Sequence, residues 1–436
     1  MTPNSRLRGG LRLWPVGIVL ALAFALAMAV AATVFFVGWD LLGARSLKPE
    51  RQLTSSTLFD LVKLAFGVVA GAGALVALVV AYRRQRVDED GARREEQAAS
   101  RETTRLHTER FTTAVSQLGD DSAAVRLGGV HALAGLADDA PSRDLRQTCI
   151  DVLCAYLRLP YTAETDLPAG DTDARHAYLS LRQVRYTVIR LIRDHLRLGI
   201  NHPHSWQGHD FDFTSAVFDG GDFSEAAFNG GIVQFAGAVF SGGKVNFRGS
   251  TFSGGKVYFN GAVFSGGEVN FRGATFDGGT VNFYGAVFSG GEVNFRGAVF
   301  SGGEVHFSTP LTGSTFSGGT VDFSGTVFSS GEVHFTAAVF NGCTVDFNRA
   351  VFSGSTVDFV IATFASGTAL FNRSTFSGGT VDFNAAVFSD GTVYFNDAVF
   401  SGGTVHFRDT VGAAPSGLLP ANGQSLPDGV TLSPVW

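Results

Sequence analysis

Two short segments of the chain place a glutamate and a histidine two residues apart. They are Glu304-Val305-His306 and Glu332-Val333-His334. In extended backbone, residues i and i+2 point to the same side, so each carboxylate lies beside an imidazole. Such a pair can move protons as general acid and base. Equivalent positions hold Asn, Asp or Tyr in other segments, and His406 stands there without a glutamate. We therefore interpret the position as variable surface and predict no catalytic residues.

Three further histidines cluster in the segment 201–209, NHPHSWQGH. His202, His204 and His209 offer nitrogen ligands, but no cysteine is close and their spacing matches no common zinc site. A loop that caps the first turn of the following repeats fits the segment better. The chain also carries no nucleophile elbow, phosphate loop or kinase signature. The sequence therefore predicts a protein that is not an enzyme and uses no metal, cofactor or small-molecule substrate.

A 12-residue unit recurs fifteen times between residues 235 and 407. It reads roughly V-x-F-x-G-A-x-F-S-G-G-x, and the segments 243–254 and 279–290 are two copies. A fixed short period over nearly half of a chain indicates a solenoid, which presents an extended surface. The pattern therefore predicts a shape and says little about molecular activity.

The phenylalanines of the repeat are alternately five and seven residues apart. A Val precedes the first Phe by two positions in every unit but one, where Ala369 replaces it. A small residue precedes the second Phe by two positions, as Ser250 precedes Phe252. Alternation points these side chains inward and the residues between them outward. The outward position before the first Phe is polar in many units: Asn246, Asn270, Asn294, Asp322, Asp346 and Asp382. The Gly-Gly pair after Ser supplies the positive φ of a corner.

These steps resemble the motif of the pentapeptide-repeat family, Ala-(Asp/Asn)-Leu-x-x, with a small residue two positions before a central Leu or Phe. The match is direct at 262–266 (AVFSG) and 269–273 (VNFRG), and the resemblance extends over residues 211–407. It implies a right-handed quadrilateral β-helix with four pentapeptides per coil. Two apolar segments before the repeats are similar to the membrane-bound pentapeptide-repeat proteins of bacteria, which implies a place in the bacterial inner membrane.

The extra two residues in each unit leave the length of a coil open between 24 and 12 residues. We favour 24, because four inward side chains that include two Phe are too large for the thin core of a 12-residue coil. Arg248, Arg272 and Arg296 also recur at intervals of 24, although stacked like charges repel. About eight such coils then form a β-solenoid domain over residues 201–409.

Two features interrupt or end the pattern. The segment 308–313, STPLTG, adds four residues to the spacing and must leave the ladder as a loop, either a tolerated insertion or a functional one. Residues 410–436 contain no Phe and are rich in Pro and Gly. This tail either covers the exposed edge of the last coil or is disordered.

The N-terminal region, 1–82, holds two apolar runs, 14–39 and 58–82, the second free of charge from residue 64. Each is long enough to span a bilayer, so we expect a transmembrane hairpin. A signal peptide that ends near Ala27-Met28-Ala29 is the alternative for the first run. Lys and Arg are more numerous at the two ends than in the connecting loop, so we expect the N-terminus and the repeats in the cytoplasm.

Residues 83–200 are predicted to form a charged stalk and a small α-helical domain. Alternating charges in 83–117 are typical of a solvated helix. Apolar periodicity over 122–157 predicts a helical hairpin that resembles one HEAT-type repeat, with Ser142 as the N-cap of its second helix. A third helix follows at about 172–198. Such a hairpin cannot bury its apolar face alone, so we expect it to dock on the end of the solenoid.

Composition limits the class of partner and the compartment. The formal net charge is −6 and no basic stripe is evident, so no nucleic-acid partner is expected. Cys149, Cys154 and Cys343 form no disulfide framework and suit a reducing compartment.

Three functions fit these features. The leading hypothesis is a non-enzymatic scaffold, anchored in the lipid bilayer by two helices, whose cytoplasmic solenoid binds an unknown protein or a second copy of itself. The family resemblance implies a second: an acidic DNA mimic that modulates a DNA-binding enzyme such as a topoisomerase, since residues 211–409 hold 16 acidic against 8 basic residues. The third is an oligomeric channel or transport accessory, built through the small residues of 67–74.

Overall fold

The computed structural model describes residues 16–41, 55–308, 313–419 and 425–436. The chain divides into two compact units, Met1–Thr103 and Thr104–Trp436. The described part of the first unit is helical, and the second unit combines a helical domain with a β-solenoid.

Two helices account for the described part of the first unit. Helix α1 spans Val16–Leu41, and α2 spans Ser55–Leu118 and so extends into the second unit. Within the described residues, one helix meets the length and composition needed to cross a membrane, namely α2 over a window that lies in Leu58–Leu118. The predicted pair of transmembrane spans therefore stays a prediction, and residues 14 and 15 of the first lie outside the described part of the chain.

The helical domain of the second unit follows the end of α2. It contains α3 (Ala123–Asp138), α4 (Arg143–Arg158), a 3₁₀ turn (Glu164–Asp166) and α5 (Thr172–Arg197). These helices lie where the apolar periodicity placed them. The predicted N-cap is present, because the Ser142 hydroxyl accepts a hydrogen bond from the backbone N–H of Leu145 at 3.3 Å. Their buried faces meet in one apolar core: Val130, Leu133, Ile150, Leu153, Val188 and Ile192.

The solenoid consists of coils of four short strands that pair in parallel with the coils above and below. Paired residues are 24 apart in the chain, as in Val263 with Val287. The first coil steps by 22, from Phe211 to Val233. The 24-residue coil is thus confirmed and the 12-residue alternative is wrong. About nine coils form, one more than predicted, because pairing continues past Phe407 through the tail.

Each coil contributes one strand to each of four faces, which we number in chain order. Face 1 contains β1 (Phe211–Asp212), β5 (Ile232–Gln234), β9 (Lys256–Tyr258), β13 (Thr280–Asn282), β17 (Glu304–His306), β21 (Glu332–His334), the second halves of β24 (Val351–Asp358) and β27 (Thr375–Asp382), β31 (Thr404–His406) and β33 (Val430–Thr431). Face 2 contains β2 (Val217–Phe218), β6 (Val239–Phe240), β10 (Val263–Phe264), β14 (Val287–Phe288), β18 (Thr315–Phe316), β22 (Val339–Phe340), β25 (Thr363–Phe364), β28 (Val387–Phe388) and β32 (Val411–Gly412).

The other two faces complete the coil. Face 3 contains β3 (Gly221–Asp222), β7 (Lys244–Asn246), β11 (Glu268–Asn270), β15 (Glu292–Asn294), β19 (Thr320–Asp322), β23 (Cys343–Asp346), β26 (Gly367–Leu370) and β29 (Thr392–Tyr394). Face 4 contains β4 (Ala227–Asn229), β8 (Thr251–Ser253), β12 (Thr275–Asp277), β16 (Val299–Phe300), β20 (Val327–Phe328), the first halves of β24 and β27, and β30 (Val399–Phe400). The four-sided coil agrees with the quadrilateral form that the family resemblance implied, whereas its right-handedness stays a prediction.

Four columns of stacked phenylalanine rings fill the interior. In one column the Phe259 and Phe283 ring centroids are 4.7 Å apart with planes 5° from parallel. Rings of different columns meet edge to face, as Phe283 does with Phe295 at 6.3 Å. The inward Val, Ala and Ser residues are also buried, and the buried Ser250 hydroxyl donates to the Phe223 carbonyl at 2.8 Å. The predicted inward set is therefore confirmed.

Glycine turns the chain at two kinds of corner. Gly291, the second residue of a Gly-Gly pair, has φ +70°, and a Cβ there would lie 2.4 Å from the Gly267 carbonyl of the coil below. Gly285, two residues after a first Phe, has φ +60°, and nothing lies within 4 Å of a Cβ. Ala337 and Ala385 hold that second kind of corner with φ 55° and 54°. Only the Gly-Gly corner was predicted.

The ladder continues across the insertion. Ser308 and Gly313 form an antiparallel bridge at its base, and residues 309–312 lie outside the described residues. Across it the step between coils is 28 residues, from Val287 to Thr315, and it returns to 24 in the next coil.

Both ends of the apolar interior are covered within the second unit. Helices α4 and α5 pack on the first coil, where Arg158 and Asp212 form an ion pair of 2.5 Å. At the other end, β33 pairs with β31 and the Trp436 ring lies 5.5 Å from that of Phe407. The described parts of the tail, 410–419 and 425–436, therefore cover the last coil.

Candidate interaction surface

The Glu–His segments lie together on face 1, as the spacing predicted. The Nε2 atom of His306 is 3.0 Å from a Glu304 carboxylate oxygen, and the equivalent His334–Glu332 distance is 3.1 Å. The two imidazoles stack at 4.8 Å. A hydrogen bond with Asp358 raises the pKa of His334 against the opposing effect of burial. Each imidazole is thus held by carboxylates on a strand surface, and this arrangement favours a structural ladder over a poised acid–base pair.

His406, the third histidine in that position, lies in a different environment. Its Nδ1 atom is 3.4 Å from the Thr431 hydroxyl of the tail strand β33. It therefore takes part in covering the last coil.

The histidines of 201–209 do not converge on one point. The buried His209 donates from Nδ1 to the Gln147 side-chain oxygen at 3.0 Å, and burial, together with Arg143 and Arg146, lowers its pKa to about 4. His204 lies 3.8 Å from Asp138. This segment packs between the helices and the first coil, in the position that the sequence predicted for a capping loop.

The sequence did not predict a partly buried charge pair in the same region. His195 of α5 lies 3.1 Å from the Asp138 carboxylate, and its other ring nitrogen lies 2.6 Å from the Leu191 carbonyl. Two acceptors favour the doubly protonated ring, so the pKa of His195 is raised although burial alone would lower it. The fully buried Trp206 stacks on this ring at 4.0 Å and donates to Asp138. The sequence placed these residues on separate elements, so no local pattern pointed to them.

The polar residues before each first Phe have a local role that the sequence analysis missed. The Asp322 carboxylate accepts a hydrogen bond from the backbone N–H of Ser324 at 2.7 Å, which closes the corner after the strand. The same bond is made by Asp212, Asp222, Asn246, Asn270, Asn282, Asn294, Asp346, Asp358 and Asp382. The known preference of Asn and Asp for such turns was the available signal.

At two corners where that position lacks Asn or Asp, the coil below supplies the acceptor. Leu370 and Tyr394 leave the N–H groups of Asn372 and Asn396 without a local partner. The side chain of Asn348 accepts from the Asn372 N–H at 3.0 Å, and Asn372 accepts from the Asn396 N–H at 2.9 Å. Corner closure is therefore preserved by a bond between coils.

Basic and acidic residues form two adjacent rows on one side of the solenoid. We call the exposed arginines at the corner after face 3 the arginine edge: Arg248, Arg272, Arg296, Arg349 and Arg373. We call the carboxylates of face 3 the acidic row: Glu268, Glu292, Asp322 and Asp346. The arginine edge contains five of the eight Lys and Arg residues in 211–409. The basic residues of the solenoid are therefore concentrated at one corner.

A four-sided parallel coil, a Phe core and pentapeptide steps define a β-solenoid repeat protein. The family model "Pentapeptide repeats (9 copies)" matches residues 213–263, 235–283 and 259–309. Residues 213–309 therefore carry pentapeptide repeats, and the same parallel ladders continue beyond them. Neither the curated proteins nor the solved structures contain a significant match to it.

Proposed function

We propose that this protein is a non-enzymatic scaffold, anchored in the bacterial inner membrane, whose cytoplasmic solenoid binds proteins. A pentapeptide-repeat solenoid is an interaction scaffold fold. The single observation that carries the proposal is the separation of roles within each repeat: the inward Phe, Val and small residues build a uniform core, while the outward positions vary among polar and charged types. Such a surface is rigid, and a partner protein can bind to its rows of outward side chains.

The anchoring part of the proposal rests on the apolar runs 14–39 and 58–82. Helix α2 carries a window with a mean hydropathy of 2.5. Arginines follow this window in the chain, as expected for a cytoplasmic flank.

Topology is tested by labelling intact cells with a membrane-impermeant thiol reagent. Ser46→Cys lies in the predicted external loop, and Gln97→Cys lies beyond the second run. Background is low, because Cys149, Cys154 and Cys343 are buried. We expect labelling at position 46 only. Labelling at position 97 in intact cells, or release of the chain by alkaline carbonate, would contradict the anchored orientation.

Partner binding is tested by placing a photo-crosslinking amino acid on different sides of the solenoid in the full chain. Suitable positions are Lys256 on face 1, Arg272 on the arginine edge and Ser353 on face 4. A defined adduct from one side and not from the others supports a scaffold surface. The absence of adducts from all three, with the protein present in the membrane fraction, counts against it.

The DNA-mimic alternative is weaker than the scaffold. The arginine edge interrupts the acidic surface that such mimicry requires. The channel alternative depends on the predicted hairpin alone.

A further inference from the structure

The arginine edge places like charges close together in a single copy. Arg248, Arg272 and Arg296 occupy the same exposed corner on three successive coils. Adjacent parallel strands are ~4.8 Å apart, so these guanidinium groups are close neighbours that repel one another. Within the described part of the chain, none of the three forms an ion pair. An anionic partner would remove this repulsion.

The acidic row carries negative charge and lies beside the arginine edge. In one coil the backbone N–H of Arg296 donates to the Asn294 side chain at 2.9 Å, and Asn294 donates in turn to the Glu292 carboxylate at 2.8 Å. Asp346 lies above Asp322 in the next coil, and burial together with this neighbouring charge raises the pKa of Asp346. A cation opposite the row would therefore be favourable.

We propose that the partner of this surface is a second copy of the chain, packed side by side and parallel, so that the arginine edge of each copy faces the acidic row of the other. This inference deepens the proposed scaffold function, on which it rests, by naming its partner. A two-fold axis parallel to the solenoid exchanges left and right while it keeps equivalent coils level. Because the two rows stand side by side, that exchange brings each row opposite its complement.

Specific pairs follow from keeping the coils level. Arg272 faces Glu268 of the second copy, Arg296 faces Glu292, and Arg349 faces Asp346. Each pair occurs twice by symmetry. The coil of Arg248 does not contribute, because Lys244 stands at the equivalent place in the acidic row. Lys244 also pairs with Glu268 of its own chain at 2.7 Å, so Glu268 is shared between Lys244 and Arg272 of the second copy. Arg373 is already paired with Asp397 of its own chain at 3.5 Å.

Both rows together favour a second copy over other anions. A polyanion or an acidic peptide would neutralise the arginine edge but would be repelled by the acidic row next to it. A second solenoid has the same distance between coils, so the three complementary pairs can all lie level with one another. The parallel arrangement also brings the two helical domains to the same end.

The test uses two differently tagged full-length chains in one membrane. One carries Glu292→Cys and the other carries Arg296→Cys, so a short bis-maleimide can join the thiols at positions 292 and 296 while the symmetry-related ion pair is kept. We expect a crosslinked product that carries both tags. The matched control is Thr280→Cys with Tyr284→Cys, the equivalent positions of face 1 in the same coil, where we expect none. Equal yields for the two combinations would overturn the proposal.

Charge reversal tests the same interface independently, through the dissociation constant of the dimer. In sedimentation of the detergent-solubilised full chain, Arg296→Glu or Glu292→Arg should each raise the dissociation constant by about tenfold or more, since each places like charges opposite one another. The double variant exchanges the rows within that coil and should restore association. Lys256→Glu and Glu304→Arg, the same reversals on face 1, should leave it unchanged. Failure of the double variant to recover would overturn the pairing.

These results separate the two proposals. A photo-adduct from Arg272 to a different protein, without a thiol crosslink between the two tags, would keep the scaffold function and overturn the second copy as its partner. The absence of that crosslink and of adducts from all three photo-crosslinking positions would overturn both.

Discussion

At the scale of single residues, the same amino acid serves two different purposes in this repeat. Glycine of the Gly-Gly pair is required for space, because the backbone of the next coil occupies the place of its Cβ. Glycine after the first Phe is required only for its positive φ, and alanine adopts that φ at two equivalent corners. Repetition in the sequence therefore does not imply equal tolerance to substitution.

We predict that Gly291→Ala costs about 3 kcal/mol or more of unfolding free energy, since it adds a clash with the coil below to the backbone strain. Gly285→Ala, one half-repeat earlier, should cost only about 1 kcal/mol. Denaturant unfolding of the two variants measures the difference. Equal losses would show that contact between coils does not decide the cost.

The buried His209 makes the junction sensitive to acid. Its pKa of about 4 lies below the ordinary value of 6.5, so between these values the unfolded chain binds a proton that the folded chain excludes. The contribution of His209 to stability is therefore complete above pH 6.5 and is lost as the pH falls towards 4, by up to about 3 kcal/mol.

His209→Asn keeps a donor towards Gln147 but does not titrate. We expect the wild type to lose stability relative to this variant as the pH falls from 6.5 to 4, measured by denaturant unfolding at several pH values. The pair of His195 and Asp138 is present in both proteins and so cancels from the comparison. A constant difference across this range would contradict the prediction.

At the scale of elements, the helical domain is joined to the solenoid by buried polar bonds as well as apolar packing. Tyr161 and Tyr178 both donate to the Asp219 carboxylate at 2.7 Å. Burial, followed by this carboxylate, raises the pKa of both tyrosines, which therefore stay protonated as donors. The buried Arg185 donates to carbonyls of Leu157 and Val217, one on each side of the junction.

Removal of the shared acceptor should loosen this junction. We expect Asp219→Ala to destabilise the second unit by about 3 kcal/mol, because two buried hydroxyls lose their partner. Asp219→Asn keeps an oxygen acceptor and should cost about 1 kcal/mol. Asp390→Ala, an exposed carboxylate in a distant coil, should change stability by less than about 0.5 kcal/mol. Thermal unfolding followed by circular dichroism ranks the three.

At the scale of the whole molecule, a substitution in a solenoid coil destabilises that coil and the coils in direct contact with it. Phe283 stacks on the rings of Phe259 and Phe307, whereas Phe395 lies in the last full coil and stacks on Phe371. Stability in such a fold is approximately the sum of coil and interface contributions.

Phe283→Ala and Phe395→Ala should each remove about 3–5 kcal/mol of packing. The central variant should raise amide exchange in coils on both sides of residue 283. The terminal variant should raise it only near residue 395, in the adjacent coil of Phe371 and in the tail. Hydrogen exchange with mass spectrometry resolves the two patterns, and uniform exchange throughout the solenoid in both variants would refute the nearest-neighbour description.

Interactions between residues close in the chain made the secondary structure and the core positions of this protein predictable from its sequence. The alternation of apolar and polar residues predicted that Val245 and Phe247 point inward and Asn246 outward. Apolar periodicity predicted the positions of α3, α4 and α5. The volume of the inward side chains favoured a coil of 24 residues over one of 12. Each of these depends on residues a few positions apart.

The tertiary structure alone decided what distant segments do to one another. Four contacts join residues that are 24 to 58 positions apart in the chain. They are the pair of Asp138 and His195, the bonds of two tyrosines to Asp219, the approach of Gly291 to Gly267, and the bond from the Asn372 N–H to Asn348. The arginine edge likewise became a surface only once the coil length set Arg248, Arg272 and Arg296 above one another, beside a row of carboxylates. Local pattern cannot specify such contacts, because they depend on how many residues the chain uses to return to the same face.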